Sequence, residues 1–445
     1  MRAIIAALAL VVLATGALVA PASADRLRPP GAKAKKIKSQ LQKRLEGRGL
    51  ESVDIRRCLI AKQRLRGKKA VECTWYAEGT LPGEQPYRCH GDSLYGKLSD
   101  GCVGFVRIST CVNKARVQIP VEPTPVHEPL FGYNDEWYAA STALLDSFDR
   151  LEPDLARVAL RWTAVETRRG SYDWDLYDRA YASLIGRGIR PVFLLVSSPC
   201  FAQADQSKCP PRESATNVVP TSEFYDEMGD FAAAAVRRYP QTAAIEVWNE
   251  PNIQKYWGSV PEPDLYAEMF KKVQAAVEDA NRDMPVLFGS LSPHAESDDN
   301  TVAAAEFLAQ GYDLGAVQRS DAIATHPYPG TFPTEDHAEG VRKRLGDLYE
   351  VMLLEDDASR PLWITETGVS TFGDRAFTGD EQATALVAIY DVIRRIPQVP
   401  VLIFHRFRDD QGDNEFELGY GSVNNAGMPK PAYCAVGATR GLTVC

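Results

Sequence analysis

The sequence predicts an α/β chain: a (β/α)8 TIM barrel preceded by a small disulfide-containing N-terminal domain. Three observations carry this expectation. Eight short strand candidates follow one another after residue 128, with helical segments between them. Several strands are continuous apolar runs, such as Pro191-Val192-Phe193-Leu194-Leu195-Val196, as parallel strands buried on both faces are. The front of the chain differs in kind: five of the nine cysteines lie between Cys58 and Cys111, among Lys/Arg-rich and β-like stretches.

The elements follow in order. Residues 1–24 read as a signal peptide, with Arg2, an apolar run from Ala3 to Ala20, and Ala22-Ser23-Ala24 as the cleavage pattern. The rival reading is an uncleaved anchor helix. Residues 25–119 form the small basic unit. The whole chain carries −9, yet Asp25–Trp75 alone holds 16 Lys/Arg against 5 Asp/Glu. Such a segment can attract anionic cell-surface polymers or nucleic acid, or can be a solvated basic face. Residues 120–128 hold Pro120, Pro123 and Pro125 and read as a semi-rigid linker. The barrel is expected over 129–445, with strands at 129–133, 156–162, 190–196, 244–249, 286–291, 321–326, 361–366 and 399–405. Helices are expected over Thr221–Arg238, with Ser222 as cap, and over Asp264–Ala280. An open doubly wound sheet is the rival fold. The chain has no Gly-x-Gly-x-x-Gly after a strand and no phosphate loop, so no nucleotide partner is expected.

An exported chain makes disulfides reasonable. Cys200 and Cys209 can close one loop, and Cys434 and Cys445 can pin the C-terminus. Cys58, Cys73, Cys89, Cys102 and Cys111 are odd in number, so one is free or pairs elsewhere.

Two stretches carry chemistry. The fourth strand ends in Glu246-Val247-Trp248-Asn249-Glu250-Pro251, the seventh in Trp363-Ile364-Thr365-Glu366-Thr367-Gly368. Each puts a carboxylate where an apolar strand stops, on the face where barrels build their active sites. A Glu there is costly unless it is used or paired. Two opposed carboxylates, one protonated and one ionised, suit acetal cleavage; a short separation between them implies retention of configuration. A structural ion pair is the bland alternative for each.

Trp-Asn-Glu-Pro and Trp-Ile-Thr-Glu-Thr-Gly resemble the retaining (β/α)8 glycoside hydrolases. The chain looks closest to family 39, especially its exopolysaccharide-degrading members, with family 5 second. The likeness runs from about Phe131 to Ala435 and includes Arg157 through Trp162, Gly170-Ser171-Tyr172-Asp173-Trp174 and Thr325-His326-Pro327-Tyr328. It implies Glu250 as acid/base, Glu366 as nucleophile, Asn249 as a hydrogen-bonding partner of the sugar 2-hydroxyl, and Tyr328 as a donor to the nucleophile. It also implies an arginine that keeps Glu366 ionised: Arg157 by spacing, Arg161 as runner-up on the same strand face. Such barrels often present a Trp on strand eight. Here the run is Ile403-Phe404-His405-Arg406-Phe407, where an aromatic platform from Phe407 or a contact from His405 could substitute.

From the residues themselves, Trp257 is a candidate for stacking on sugar, against simple packing on the rim. Trp248 and Trp363 read as core. His326 reads as a wall of the site rather than a metal ligand, since no His-Glu-x-x-His occurs. No metal or cofactor is expected. The expected partner is a polysaccharide or oligosaccharide, cut by a secreted or cell-surface monomer. The alternative is a non-catalytic glycan-binding protein on the same scaffold.

Overall fold

The computed structural model describes residues 31–47, 52–65, 68–81, 85–97, 103–108, 118–204, 218–329, 336–373, 376–410 and 418–445. The expected leader over 1–24 lies outside them. Among the described residues no helix is long and apolar enough to cross a membrane.

The front holds helix α1 (Gly31–Gly47) and strands β1 (Asp54–Leu65), β2 (Lys68–Leu81), β3 (Gln85–Lys97) and β4 (Val103–Ile108), an antiparallel sheet in chain order. Ile37, Leu41 and Leu45 recur every four residues, and all three are buried with Ile55, Val71 and Trp75 of the sheet. Cys58 and Cys73 lie opposite each other on β1 and β2 and are disulfide-bonded. Cys102 and Cys111 lie outside the described residues, so the fate of the odd cysteine is not on view.

The remainder is a closed parallel barrel. Its strands are β5 (Leu130–Asn134), β6 (Leu155–Arg161), β7 (Arg190–Val196), β8 (Ala244–Val247), β9 (Val286–Leu291), β10 (Ala322–Thr325), β11 (Leu362–Ile364) and β12 (Val401–His405). They pair in chain order, and β12 returns to β5 from Val401 opposite Leu130 to His405 opposite Asn134. Closure rules out the open-sheet rival. Gly132 allows β6 to approach, because a Cβ there would lie 2.2 Å from the Leu155 carbonyl oxygen. Around the barrel run α2 (Thr142–Asp149), α3 (Trp162–Val165), α4 (Asp175–Ile185), α5 (Tyr225–Arg238), α6 (Gln254–Trp257), α7 (Pro263–Ala280), α8 (Ala304–Asp313), α9 (His337–Leu354), α10 (Gly379–Ile393) and α11 (Pro431–Thr439). Pro263 opens α7, where its missing N–H costs nothing. Thr378 and Glu381 form a capping box at α10.

All eight expected strands are present; the second and sixth stop one residue early, and two others stop two residues early. Strands four and seven were expected to reach residues 249 and 366 and end at Val247 and Ile364. At the fourth, Trp248 (φ 71°) and Glu250 (φ 43°) take left-handed backbone, which peels the chain off the sheet. The expected helix start at Ser222 also needs correction. Ser222–Phe224 is a single 3-10 turn, and α5 begins at Tyr225 without a side-chain cap. Asp226 and Glu227 in its first turn complement the helix dipole instead.

The Pro-rich stretch is bound to the barrel along its length. Ile119 is buried in the barrel core and Val121 packs on it. The Glu122 and Val126 amides donate to the carbonyls of Arg395 and Arg394 at 2.8 and 2.9 Å. At the other terminus, Cys434 and Cys445 form the expected disulfide. Cys200 is disulfide-bonded, while its expected partner Cys209 lies outside the described residues.

Candidate active site

Seven of the eight strands, all but β9, send residues from their C-terminal ends or the loops that follow to one open cleft of about 600 Å³. Inward-facing positions on β6 alternate, so Arg157, Ala159 and Arg161 all line it, with Leu194 and Val196 from β7. Both glutamates reach it: Glu250 three residues past β8, Glu366 two past β11.

The two carboxylates face each other around His326. One oxygen of each and a ring nitrogen of His326 all lie within 4.8 Å of one another. The His326 Nδ1 is 2.9 Å from Glu250 Oε1 and 3.5 Å from Glu366 Oε2. Their backbone settings differ, since Glu250 sits in left-handed backbone just after a second such residue, Trp248. Non-glycine residues hold that conformation only where the surroundings over-determine it. Here the Trp248 indole is buried and donates to the Tyr256 carbonyl at 2.9 Å.

Glu366 is surrounded by donors. Asn134 Nδ2 donates to its Oε1 at 2.9 Å and Tyr328 OH to its Oε2 at 2.9 Å. The Arg157 guanidinium donates to Oε1 as well. Burial alone raises the pKa of Glu366. The charges of His326, Arg157 and His405 and the Tyr328 hydrogen bond outweigh it and hold the group well below the usual carboxylate range. Arg157 is itself buried and also binds Glu246, Nε to Oε2 at 2.7 Å, and Asn249 Oδ1 at 3.0 Å. Thr365 Oγ1 donates to the other Glu246 oxygen at 2.9 Å. A single guanidinium therefore fixes a buried carboxylate below, the Asn249 amide beside it, and Glu366 at the cleft.

Glu250, Glu366, Asn249, Arg157, Tyr328 and His405 thus meet in one cleft, and the expected wall residue His326 is instead fully buried against the two carboxylates. Glu250, His326 and Glu366 bring three potential ligand atoms together, but both Glu366 oxygens already accept from side-chain donors. Arg161 does not reach Glu366. It pairs with Tyr138 and Glu136 on the cleft wall, because its later position on β6 carries it toward the mouth.

Two aromatic expectations need correction. Trp257 is buried, with its ring against Tyr266, since the short turn α6 points it under the loop. Its neighbours Lys255 and Tyr256 line the cleft instead. Phe407 is fully buried among Trp137, Phe148 and Tyr133 and offers no platform.

Several site residues had no distinguishing sequence signal. Tyr420 enters from the loop after β12, edge-on to His405 at 5.2 Å and to Tyr328 at 5.9 Å. A Cβ on Gly368 would meet its ring at 3.3 Å. Buried Gln382 donates to the carbonyls of Val369, Gly419 and Tyr420, which anchors that segment. Asn134 and Glu246 were also missed. Glu246 carried a readable signal: a charge in mid-strand between apolar neighbours requires a buried partner.

No protein-family model and no curated protein sequence matches the chain. Solved structures do. A family 39 glycoside hydrolase from the gut symbiont Bacteroides cellulosilyticus is 19% identical, with a TM-score of 0.54, over 87% of this chain and 76% of that one. A monomeric β-xylosidase from Caulobacter crescentus is 20% identical, TM-score 0.55, over 74% of this chain and 70% of that one. A GH5_18 protein from Streptomyces cattleya, solved with GlcNAc, is 18% identical, TM-score 0.51, over 71% of this chain and 80% of that one. The first and third of these carry the names of the two families that the motifs resemble, and at these identities the likeness establishes the barrel fold.

Proposed function

We propose that the chain is a retaining glycoside hydrolase that cleaves β-linked bonds in an extracellular polysaccharide by double displacement. The observation that carries this reading is the pair Glu250 and Glu366, with carboxylate oxygens within 4.8 Å and unlike surroundings. Retaining enzymes place their carboxyl groups about 5–5.5 Å apart, whereas inverting ones leave room for a water between them. Glu366, kept ionised by Arg157 and its neighbours, attacks the anomeric carbon. Glu250, which meets an imidazole rather than a guanidinium, gives its proton to the departing oxygen. The glycosyl–Glu366 ester then yields to a water that Glu250 deprotonates. Asn249, oriented by Arg157, is placed for the 2-hydroxyl of the reacting sugar.

The matched family 39 and β-xylosidase structures support a β-glycoside substrate. The leader-like first 24 residues and the disulfides support action outside the cytoplasm. The test uses aryl β-glycosides with gluco-, manno- and xylo-configured sugars. Glu366→Ala should lose turnover and regain it with azide, as a glycosyl azide of inverted configuration. Proton NMR of the first product from the unaltered enzyme should show the substrate's own anomer. Substantial activity of Glu366→Ala without azide, or an inverted product, removes Glu366 as nucleophile.

A further inference from the structure

Arg161 is a cation in the cleft that this chemistry leaves unused. Arg157 is held by two carboxylates, and so is Arg406, by Asp135 and Asp410. Arg161 has Glu136 at 3.5 Å, and the two side chains are 31% and 46% exposed. Its guanidinium is nevertheless fixed. It donates to the Tyr138 hydroxyl and lies 5.4 Å from the centre of that ring. Tyr138 passes the chain on, donating to Glu136 Oε1 at 3.0 Å. The Arg161 backbone N–H donates to Tyr177 OH at 2.9 Å, and that hydroxyl donates to the Ala159 carbonyl at 3.0 Å. An arginine has five N–H donors, so several remain for a ligand.

We infer that Arg161, Glu136 and Tyr138 form a binding subsite for a neutral sugar unit next to the one being cleaved. The inference rests on the hydrolase reading above. A sugar hydroxyl both donates and accepts, and a guanidinium beside a carboxylate serves two neighbouring hydroxyls at once. A neutral unit is favoured, because Glu136 beside Arg161 balances the charge of the subsite, and Asp135, Asp410 and Glu366 are already paired with Arg406 and Arg157. Arg161 lies four residues beyond Arg157 on β6, about 13 Å along the strand toward the mouth. A unit held there sits past the reacting ring, where its binding orients and distorts that ring. The preferred substrate is therefore a neutral oligosaccharide or polysaccharide rather than a single glycoside.

The test compares kcat/KM for aryl β-monosaccharides and for aryl β-1,4-oligosaccharides of the same gluco-, manno- or xylo-configured sugar. The unaltered enzyme should gain tenfold or more from the added units. Arg161→Met and Glu136→Gln should each reduce that oligosaccharide-to-monosaccharide ratio tenfold or more. Circular dichroism checks folding, and if Arg161→Met fails to fold, Glu136→Gln decides. If the ratio persists in both variants, the added units bind elsewhere and the subsite is overturned. If the unaltered enzyme cleaves monosaccharides with no gain from added units, the subsite is overturned while the hydrolase reading stands. If it cleaves no aryl glycoside of either kind, the hydrolase reading falls and takes the subsite with it.

Discussion

Arg157 and Glu246 form an ion pair at 2.7 Å, with side chains 1% and 0% exposed. The pair lies beneath Glu366, which takes another N–H of the same guanidinium. Removing the arginine would leave two buried carboxylates without their cation, at a cost of about 3–5 kcal/mol at neutral pH. Arg157→Met should lower stability to urea by roughly that amount. The sign with pH is definite. In the unaltered protein the folded pKa of Glu366 is depressed, so its stabilisation is present above the unfolded carboxylate value, about 4.3, and is lost as pH falls below it. In the variant Glu366 lacks the Arg157 charge, so less of this stabilisation is present to be lost in acid. The two stability curves should converge as pH falls below about 4; a gap that stays constant contradicts the assignment.

Tyr328→Phe removes one of the hydrogen bonds that lower the Glu366 pKa. That pKa should rise, so the acid limb of kcat/KM should move toward neutrality. A hydrogen bond to a charged group contributes about 1.5–3 kcal/mol, which sets a loss in kcat/KM of about tenfold to a hundredfold at the optimum. An unmoved acid limb would mean that Tyr328 only packs.

Trp257 and Tyr256 are adjacent, yet their truncations should read out differently. Trp257→Ala empties a buried site and should cost about 3–5 kcal/mol of stability. Tyr256→Ala, at the cleft, should weaken KM for oligosaccharides with little change in urea midpoint. Matching effects in both assays would show that the loop acts as one unit.

The barrel should not begin at Val126. A chain starting at Gln118 keeps Ile119 and Val121 on the barrel, whereas one starting at Val126 loses both. Burying one such aliphatic side chain is worth about 1.5–3 kcal/mol, and the shorter chain should be less stable by about that much. Equal urea midpoints would make the Pro-rich stretch a passive linker.

Much of this architecture is legible in the sequence. Eight apolar strand runs sufficed for the barrel because parallel strands bury both faces. The glutamates stood out because a carboxylate ending such a run needs a reason. Side-chain direction was less legible. Trp257 and Tyr256 are neighbours in the chain, and only the turn of α6 decides which one faces the cleft. Tyr420 stayed hidden because its place depends on Gln382 and on Gly368, both distant in sequence. Arg157 and Arg161 share a strand face, and only the depth of each along β6 separates the buried ion pair from the open wall.

The strap of residues 119–128 has a geometric consequence. It runs past Arg394, Arg395 and Val399, which precede β12, so it lies against the floor of the barrel, away from the C-terminal strand ends. From Glu122 to His127 the strap is thus fixed at the pole opposite the cleft, while Gln118 at its start accepts from Arg342 near the beginning of α9. No residue of the strap lines the cleft, so the strap does not narrow the way into the mouth.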